Sequence, residues 1–243
     1  MTKAKKMAKT RSIIIGSSIL GQMKTKFSAL EVLQVVSVNG GKLDFKQYIK
    51  SLYPFQMTVT CVYLIFLGGN NIFRGKIEHE IGAPVKHYHS RQKCFKTKKD
   101  LERDLMAKYR DFIDSLFQFF PNLETVSVTP PLPRRCLNNV RIGYSTICSD
   151  CVNLTDSFST VVSIFKKLMS EYAERENVVV LNPFHMFAFF AGQEGISGKK
   201  ATKNGKSYHF WEKIMAKSLS EDHIHLNEFG IDLFSSYIFT KLK

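Results

Sequence analysis

Short apolar runs alternate with amphipathic stretches along this 243-residue chain. Five runs rich in β-branched residues, at 12–16, 32–38, 57–67, 123–128 and 177–181, are mostly followed by Gly, Asn or Pro and predict buried strands. Parallel strands that are covered on both faces are apolar throughout, so these runs are typical of the interior of an α/β sheet.

Helices are predicted between the strands. The clearest lies at residues 99–119, where apolar side chains recur at spacings of three and four. Further helices are expected at 19–30, 43–52, 157–175 and 226–242. This alternation predicts one three-layer α/β/α domain around a five-stranded, mostly parallel sheet. We expect the domain to span residues 12–243, after a basic, flexible tail at 1–11.

Small and amide residues follow the first three predicted strands. Ser17 and Ser18 follow the first strand, Gly40 and Gly41 the second, and residues 69–71 the third. Ligands of open α/β sheets bind beyond the carboxyl ends of the strands. We therefore expect these residues to line one pocket.

Three segments carry residue types suited to acyl transfer. Ser18, at a tight strand-to-helix turn, would expose its hydroxyl beside backbone N–H groups, although an N-cap role is the alternative. Asn70 could donate to a developing negative charge, although Asn is also a common turn residue. Asp222 lies three residues before His225, a spacing that lets a carboxylate orient a general base. His223, between them, is expected to be a surface bystander.

In order and spacing, these segments resemble the sequence blocks of the SGNH hydrolases, also called GDSL esterases and lipases. GSSIL at 16–20 resembles the Gly-Asp-Ser block, and NGGKL at 39–43 resembles the second block. GGNN at 68–71 resembles the Gly-x-Asn-Asp block, and DHIHLN at 222–227 resembles the Asp-x-x-His block. The resemblance covers residues 11–242 and implies the family's fold, a flavodoxin-like α/β/α arrangement.

The resemblance also implies a serine esterase that acts on a small acyl ester through an acyl-enzyme, without a cofactor or metal. Ser18 would be the nucleophile, His225 its general base, and Asp222 the carboxylate that orients His225. The oxyanion hole would consist of the N–H groups of Ser18 and Gly40 and the side chain of Asn70. Gly41 replaces Gly40 if the second block is shifted by one residue.

Two acids of the family blocks are absent. Ser17 stands where an Asp usually precedes the nucleophile, and Asn71 where an Asp usually follows the oxyanion asparagine. Neither position belongs to the triad, so ester hydrolysis remains the expected activity. The joint loss also suits an alternative, a weakly active or inactive module of this fold that binds RNA or DNA. Such a module would resemble the RNA-binding domain of Oskar or the first-ORF proteins of some retrotransposons.

The net charge of +14 is concentrated in three segments, 1–11, 74–99 and 199–217, which carry +5, +6 and +5. Such clusters attract phosphate-rich partners or anionic membrane surfaces, or serve solubility. The long stretch 72–98 follows Asn70 and interleaves basic with aromatic residues, which predicts an active-site lid or nucleic-acid contacts. The residues expected to make these contacts are Arg74, Lys76, Lys86, Arg91, Lys93 and Lys96.

The remaining sequence features bear on the cellular location of the protein and on metal binding. Five scattered cysteines lack the pattern of a disulfide-framed secreted domain. No apolar run reaches the ~20 residues of a membrane span, and the run at 12–20 is short for a signal sequence. We therefore expect a cytoplasmic protein.

His87, His89 and Cys94 lack a fourth metal ligand, and the CxxC at 148–151 lacks a second pair, so no metal is expected.

Overall fold

The computed structural model describes the α/β core of the chain. The described residues are 11–27, 33–74, 76–77, 94–95, 98–132, 141–142, 145–146, 154–183, 217–218 and 225–242. Residues 72–74, 76–77, 94–95, 98, 141–142, 145–146 and 154–160 among them are described by their backbone alone.

Five strands form the central sheet: β1 (Ser12–Gly16), β2 (Leu33–Ser37), β3 (Cys61–Ile65), β6 (Thr125–Val128) and β9 (Val178–Val180). Their order is β2-β1-β3-β6-β9, and all four pairings are parallel. The predicted five-stranded parallel sheet is confirmed. Two-residue strands form two small separate sheets: β4 (Lys76–Ile77) pairs in parallel with β5 (Cys94–Phe95), and β7 (Arg141–Ile142) pairs antiparallel with β8 (Ser145–Thr146).

In the part of the chain that the structure describes, the sheet is accompanied by the α-helices α1 (Ser18–Phe27), α2 (Ile49–Leu52), α3 (Gly69–Arg74), α4 (Lys98–Phe119), α5 (Leu154–Glu171) and α6 (Glu228–Phe239). The continuous helix predicted at 43–52 is wrong. That segment starts with a 3₁₀ turn, Phe45–Gln47, in which the Asp44 side chain accepts the Lys46 N–H. After α2, a second 3₁₀ turn, Tyr53–Phe55, contains Pro54, whose ring cannot continue an α-helix.

The core has one layer on each face of the sheet, because successive residues of a strand point to opposite sides. Ile13 and Ile15 of β1 lie in a buried cluster with side chains of α4 and α5. Ile14, between them, lies in a second cluster with side chains of α1 and α6. The isoleucines are fully buried, which explains why this strand is apolar on both faces.

The first three strands end at the same level. Gly16, the last residue of β1, pairs with Ser37 of β2 and with Ile65 of β3. The predicted third strand, 57–67, is therefore too long at both ends, and Met57 lies exposed in the turn before it. In this order, β2 is added on one side of β1, and β3, β6 and β9 follow on the other side. The order of the strands therefore reverses between β1 and β3, which is where open α/β sheets place their ligands.

Candidate active site

Two adjacent serines follow β1, and they differ in exposure. Ser17 is only 2% exposed, and its Oγ has no hydrogen-bond partner among the described residues. Ser18 is the first residue of α1 and is partly exposed. The first N–H groups of a helix have no acceptor within the helix, so an oxyanion beside Ser18 could accept from them. Ser18 is thus the accessible hydroxyl of the pair.

The loop after β2 contains the two glycines of the predicted oxyanion hole. Gly40 has a φ of 66°, a left-handed conformation that favours glycine. The Gly41 N–H donates to the Val38 carbonyl at 2.8 Å and so closes the turn. A Cβ on Gly41 would come within 2.3 Å of the Tyr48 hydroxyl and 2.8 Å of the Val38 carbonyl. Gly41 is therefore a packing glycine whose own N–H is already engaged.

Asn70 lies in the first turn of α3, beside this loop. Its side chain is 8% exposed, and Nδ2 donates to the Gly41 carbonyl at 2.9 Å. Gly68 has a φ of 102° and forms the turn that was predicted, but a helix begins directly after it, at Gly69. The bond to Gly41 fixes the orientation of the Asn70 carboxamide relative to the loop after β2.

Asn71 ties the same two segments together a second time. Its Oδ1 accepts the Leu43 N–H at 2.9 Å. In the sequence, position 71 stood out only because the family's usual acid is absent there. In the structure, the side-chain oxygen of Asn71 still accepts a backbone hydrogen bond. The loop after β2 is thus attached to α3 through two consecutive side chains.

The chain segment that carries His225 is held against α1. The Leu226 N–H donates to Gln22 Oε1 at 3.1 Å, and Gln22 Nε2 donates to the Leu226 carbonyl at 3.3 Å. His225 itself is partly buried, and Asp222 lies outside the described residues. Gln22 was not singled out in the sequence. The sequence gives no signal for it, because α1 also carries the polar residues Lys24, Thr25 and Lys26.

The strand end before Asn70 has an unusual backbone. Phe66 has a φ of 51°, which is rare for a residue with a side chain. Its N–H donates to Thr129 Oγ1 at 2.7 Å, and its ring packs edge-on against Phe234 at 5.2 Å between centroids. The Leu67 carbonyl accepts from the Tyr109 hydroxyl at 2.6 Å. Tertiary contacts therefore hold the turn that leads from β3 into α3.

Most of the residues predicted to make basic contacts lie outside the described residues. Arg74 and Lys76 are described by their backbone alone, at the end of α3 and the start of β4, and Lys86, Arg91, Lys93 and Lys96 lie outside the described residues. The residues that were considered as metal ligands and set aside, at 87–94 and 148–151, also fall outside them, apart from the Cys94 backbone. Within the described part, no helix is long and apolar enough to cross a membrane.

Comparison of the sequence with family models gives no match, and no curated protein matches either. Comparison with solved structures does give matches. A protein of Streptococcus pneumonia, provisionally named as a platelet activating factor, aligns with a TM-score of 0.57 and 12% identity, over 99% of this chain and 87% of its own.

Two Bacteroides structures are also similar. A provisionally named acylhydrolase of Bacteroides fragilis aligns with a TM-score of 0.55 and 13% identity, over 97% of this chain and 90% of its own. A GDSL-like lipase of Bacteroides thetaiotaomicron aligns with a TM-score of 0.53 and 11% identity, over 96% of this chain and 87% of its own. Together with the parallel β2-β1-β3-β6-β9 sheet, these likenesses show that the chain has the fold of the SGNH (GDSL-like) hydrolases.

Proposed function

We propose that this protein is a serine esterase that hydrolyses small acyl esters at the carboxyl ends of β1, β2 and β3. The observation that carries the proposal is the pair of hydrogen bonds between Gln22 and Leu226, two residues 204 positions apart. They attach the residue next to His225 to the helix that begins with Ser18. This attachment supports the proposal that a nucleophile and a base from distant parts of the chain lie on the same side of the sheet.

In the proposed reaction, Ser18 Oγ attacks the carbonyl carbon of the ester while the His225 imidazole takes the hydroxyl proton. The tetrahedral intermediate collapses, the alcohol leaves with the proton from the imidazolium, and an acyl-serine remains. His225 then deprotonates a water molecule, which attacks the acyl carbon; as the carboxylic acid leaves, the imidazolium returns the proton to Ser18 Oγ. Asp222 is the carboxylate that orients His225.

The oxyanion forms between three proton donors in this proposal: the N–H groups of Ser18 and Gly40 and Nδ2 of Asn70. Gly40 is favoured over Gly41 because the Gly41 N–H already donates to Val38. The hydrogen bond from Asn70 to the Gly41 carbonyl holds the amide in place before substrate arrives. Donors that are fixed in advance stabilise a developing charge without a cost of reorganisation.

Ser18, rather than Ser17, is proposed as the nucleophile on grounds of exposure. A buried hydroxyl with a relative exposure of 2% cannot reach a substrate without unfolding of the turn. Ser17, which stands where the family usually has an Asp, is therefore a buried hydroxyl and does not supply a second nucleophile.

A fluorophosphonate probe tests the proposal directly, because it reacts with activated serines. Wild-type protein should be labelled and should hydrolyse short-chain p-nitrophenyl esters. Ser18→Ala should lose both properties, and the matched control Ser17→Ala should keep both. Asn70→Ala should lower kcat by ~10²–10³, the usual effect of losing one oxyanion donor. Folded wild-type protein that neither reacts with the probe nor hydrolyses the esters would overturn the proposal.

A further inference from the structure

We infer that Gln22 is a positioning residue that holds the His225 segment in register with Ser18; the inference rests on the proposed esterase function. Ser18 and Gln22 are four residues apart on α1, so their side chains share one face and their backbones differ in height by ~6 Å. His225 precedes Leu226, and consecutive Cα atoms are ~3.8 Å apart. Fixing Leu226 on Gln22 thus restricts where the imidazole can lie relative to Ser18.

Both polar atoms of the Gln22 carboxamide are used on one residue. Oε1 accepts the Leu226 N–H, and Nε2 donates to the Leu226 carbonyl. Two bonds to the same residue define the direction of the segment as well as its distance from α1, much as in a strand pairing. One hydrogen bond alone would leave the segment free to rotate about it.

The Leu226 side chain adds an apolar attachment at the same point. It is 2% exposed and belongs to the buried cluster that also contains Ile19 and Leu20 of α1. Gln22 itself is only partly buried. Apolar packing resists separation of the two segments but does not fix their rotation or register, whereas hydrogen bonds do.

The residue after Leu226 is attached to different partners. Asn227 donates from its backbone to the Ser218 carbonyl at 2.9 Å and from Nδ2 to the Lys217 carbonyl at 2.6 Å. Its Oδ1 caps α6 by accepting the Gly230 N–H. These bonds attach Asn227 to Lys217 and Ser218 and to the first turn of α6. Gln22 supplies side-chain hydrogen bonds from the helix of Ser18 to this segment.

The expected effect of losing Gln22 is a fall in turnover with little change in substrate binding. A misplacement of reacting groups by ~1 Å can cost ~10²-fold in rate. Gln22→Leu keeps the size of the side chain and removes both hydrogen bonds. We expect kcat for a p-nitrophenyl ester, and the rate of fluorophosphonate labelling, to fall ~10- to 100-fold with KM nearly unchanged. Gln22→Glu keeps the acceptor for the Leu226 N–H, so its kcat should lie between those of wild type and Gln22→Leu.

Lys26→Gln is the matched control. Lys26 links α1 to α6 through an exposed ion pair with Asp232 at 2.7 Å, about one turn beyond Gln22 on the same helix. If Gln22 merely attached α1 to the C-terminal part of the chain, as Lys26 does, both variants would lower kcat alike. If Gln22 positions the His225 segment, only the Gln22 variants should do so.

Hydrogen–deuterium exchange supplies a readout that does not depend on activity. Amides at 225–227 should exchange faster in Gln22→Leu than in wild type and in Lys26→Gln. An active wild type whose kcat is unchanged by Gln22→Leu would overturn the inference and leave the esterase proposal standing. Unchanged exchange at 225–227 would also overturn it. An inactive wild type with faster exchange in Gln22→Leu would overturn the esterase function and support the attachment of the segment alone.

Discussion

The Asn71 side chain accepts the backbone N–H of Leu43 at 2.9 Å, and so joins the first turn of α3 to the loop after β2. In the sequence blocks of SGNH hydrolases this position is usually an Asp. An amide oxygen and a carboxylate oxygen lie at the same place on the two side chains, and each can accept a backbone N–H. The substitution of Asn for Asp therefore removes a charge close to the proposed site but keeps the structural hydrogen bond.

Asn71 variants should separate the role of the hydrogen bond from that of the charge. Asn71→Asp keeps the acceptor, so we expect a free energy of unfolding within about 1 kcal/mol of wild type. Asn71→Ala leaves the Leu43 N–H without its acceptor and should cost about 1–2 kcal/mol. Urea denaturation measures both. Equal destabilisation by the two substitutions would show that the loss of the amide, rather than of the acceptor, is what matters.

The contact between Gly41 and Tyr48 gives a second prediction. Gly41→Ala would place a Cβ 2.3 Å from the Tyr48 hydroxyl, a distance that forces movement, and should cost about 1–3 kcal/mol. Removing the hydroxyl in Tyr48→Phe relieves that contact, although the Val38 carbonyl still lies 2.8 Å away. The double variant should therefore be more stable than the sum of the two single changes, by about 1 kcal/mol. Additive effects in a double-mutant cycle would exclude the steric explanation.

The sequence was sufficient to locate the five strands, apart from the ends of β3, and insufficient for the turns between them. Ile13, Ile14 and Ile15 are buried on alternate faces, and a short β-branched run that is apolar at every position is typical of a strand covered on both sides. The helix predicted at 43–52 failed because local periodicity does not report the 3₁₀ turn that Asp44 caps before α2. Asn70 and Asn71 read as turn residues, but tertiary hydrogen bonds to Gly41 and Leu43 accompany a helix there.

The candidate site was predictable where its residues lie directly at strand ends. Ser18 and Asn70 follow β1 and β3, whose carboxyl ends must meet in a parallel sheet. Gln22 was not predictable, because its partner Leu226 is 204 residues away and nothing in either segment alone indicates the pairing. Long-range side-chain to backbone bonds of this kind leave no periodic signal in a single sequence.

Thr129 should be essential for the turn that precedes Asn70. Its Oγ1 accepts the N–H of Phe66, whose left-handed backbone costs about 1–2 kcal/mol for a residue with a side chain. Thr129→Val has nearly the same shape but leaves this buried N–H without an acceptor, and should lower the free energy of unfolding by about 1–3 kcal/mol. Thr129→Ser, which keeps the hydroxyl, should lose less. A Val variant as stable as the Ser variant would contradict this role.

Tyr109 provides a pH-dependent prediction, because burial raises the pKa of its hydroxyl well above the ordinary value for tyrosine. The hydroxyl donates to the Leu67 carbonyl at 2.6 Å, and only the neutral form can do so. An unfolded tyrosine loses its proton near pH 10. Above that pH the unfolded state holds fewer protons than the folded state, so stability falls as pH rises; below it, the contribution of Tyr109 is fully present.

Tyr109→Phe should therefore be less stable than wild type at pH 7 and less sensitive to alkali. Loss of the hydrogen bond should cost about 1 kcal/mol at neutral pH. Above pH 10, the wild-type free energy of unfolding should fall more steeply than that of the variant, by about 1.4 kcal/mol per pH unit, the value for one proton. Urea denaturation between pH 7 and 11 measures both slopes, and other buried tyrosines contribute equally to each protein. Parallel curves would mean that Tyr109 ionises as readily in the folded as in the unfolded chain, and would contradict its burial against Leu67.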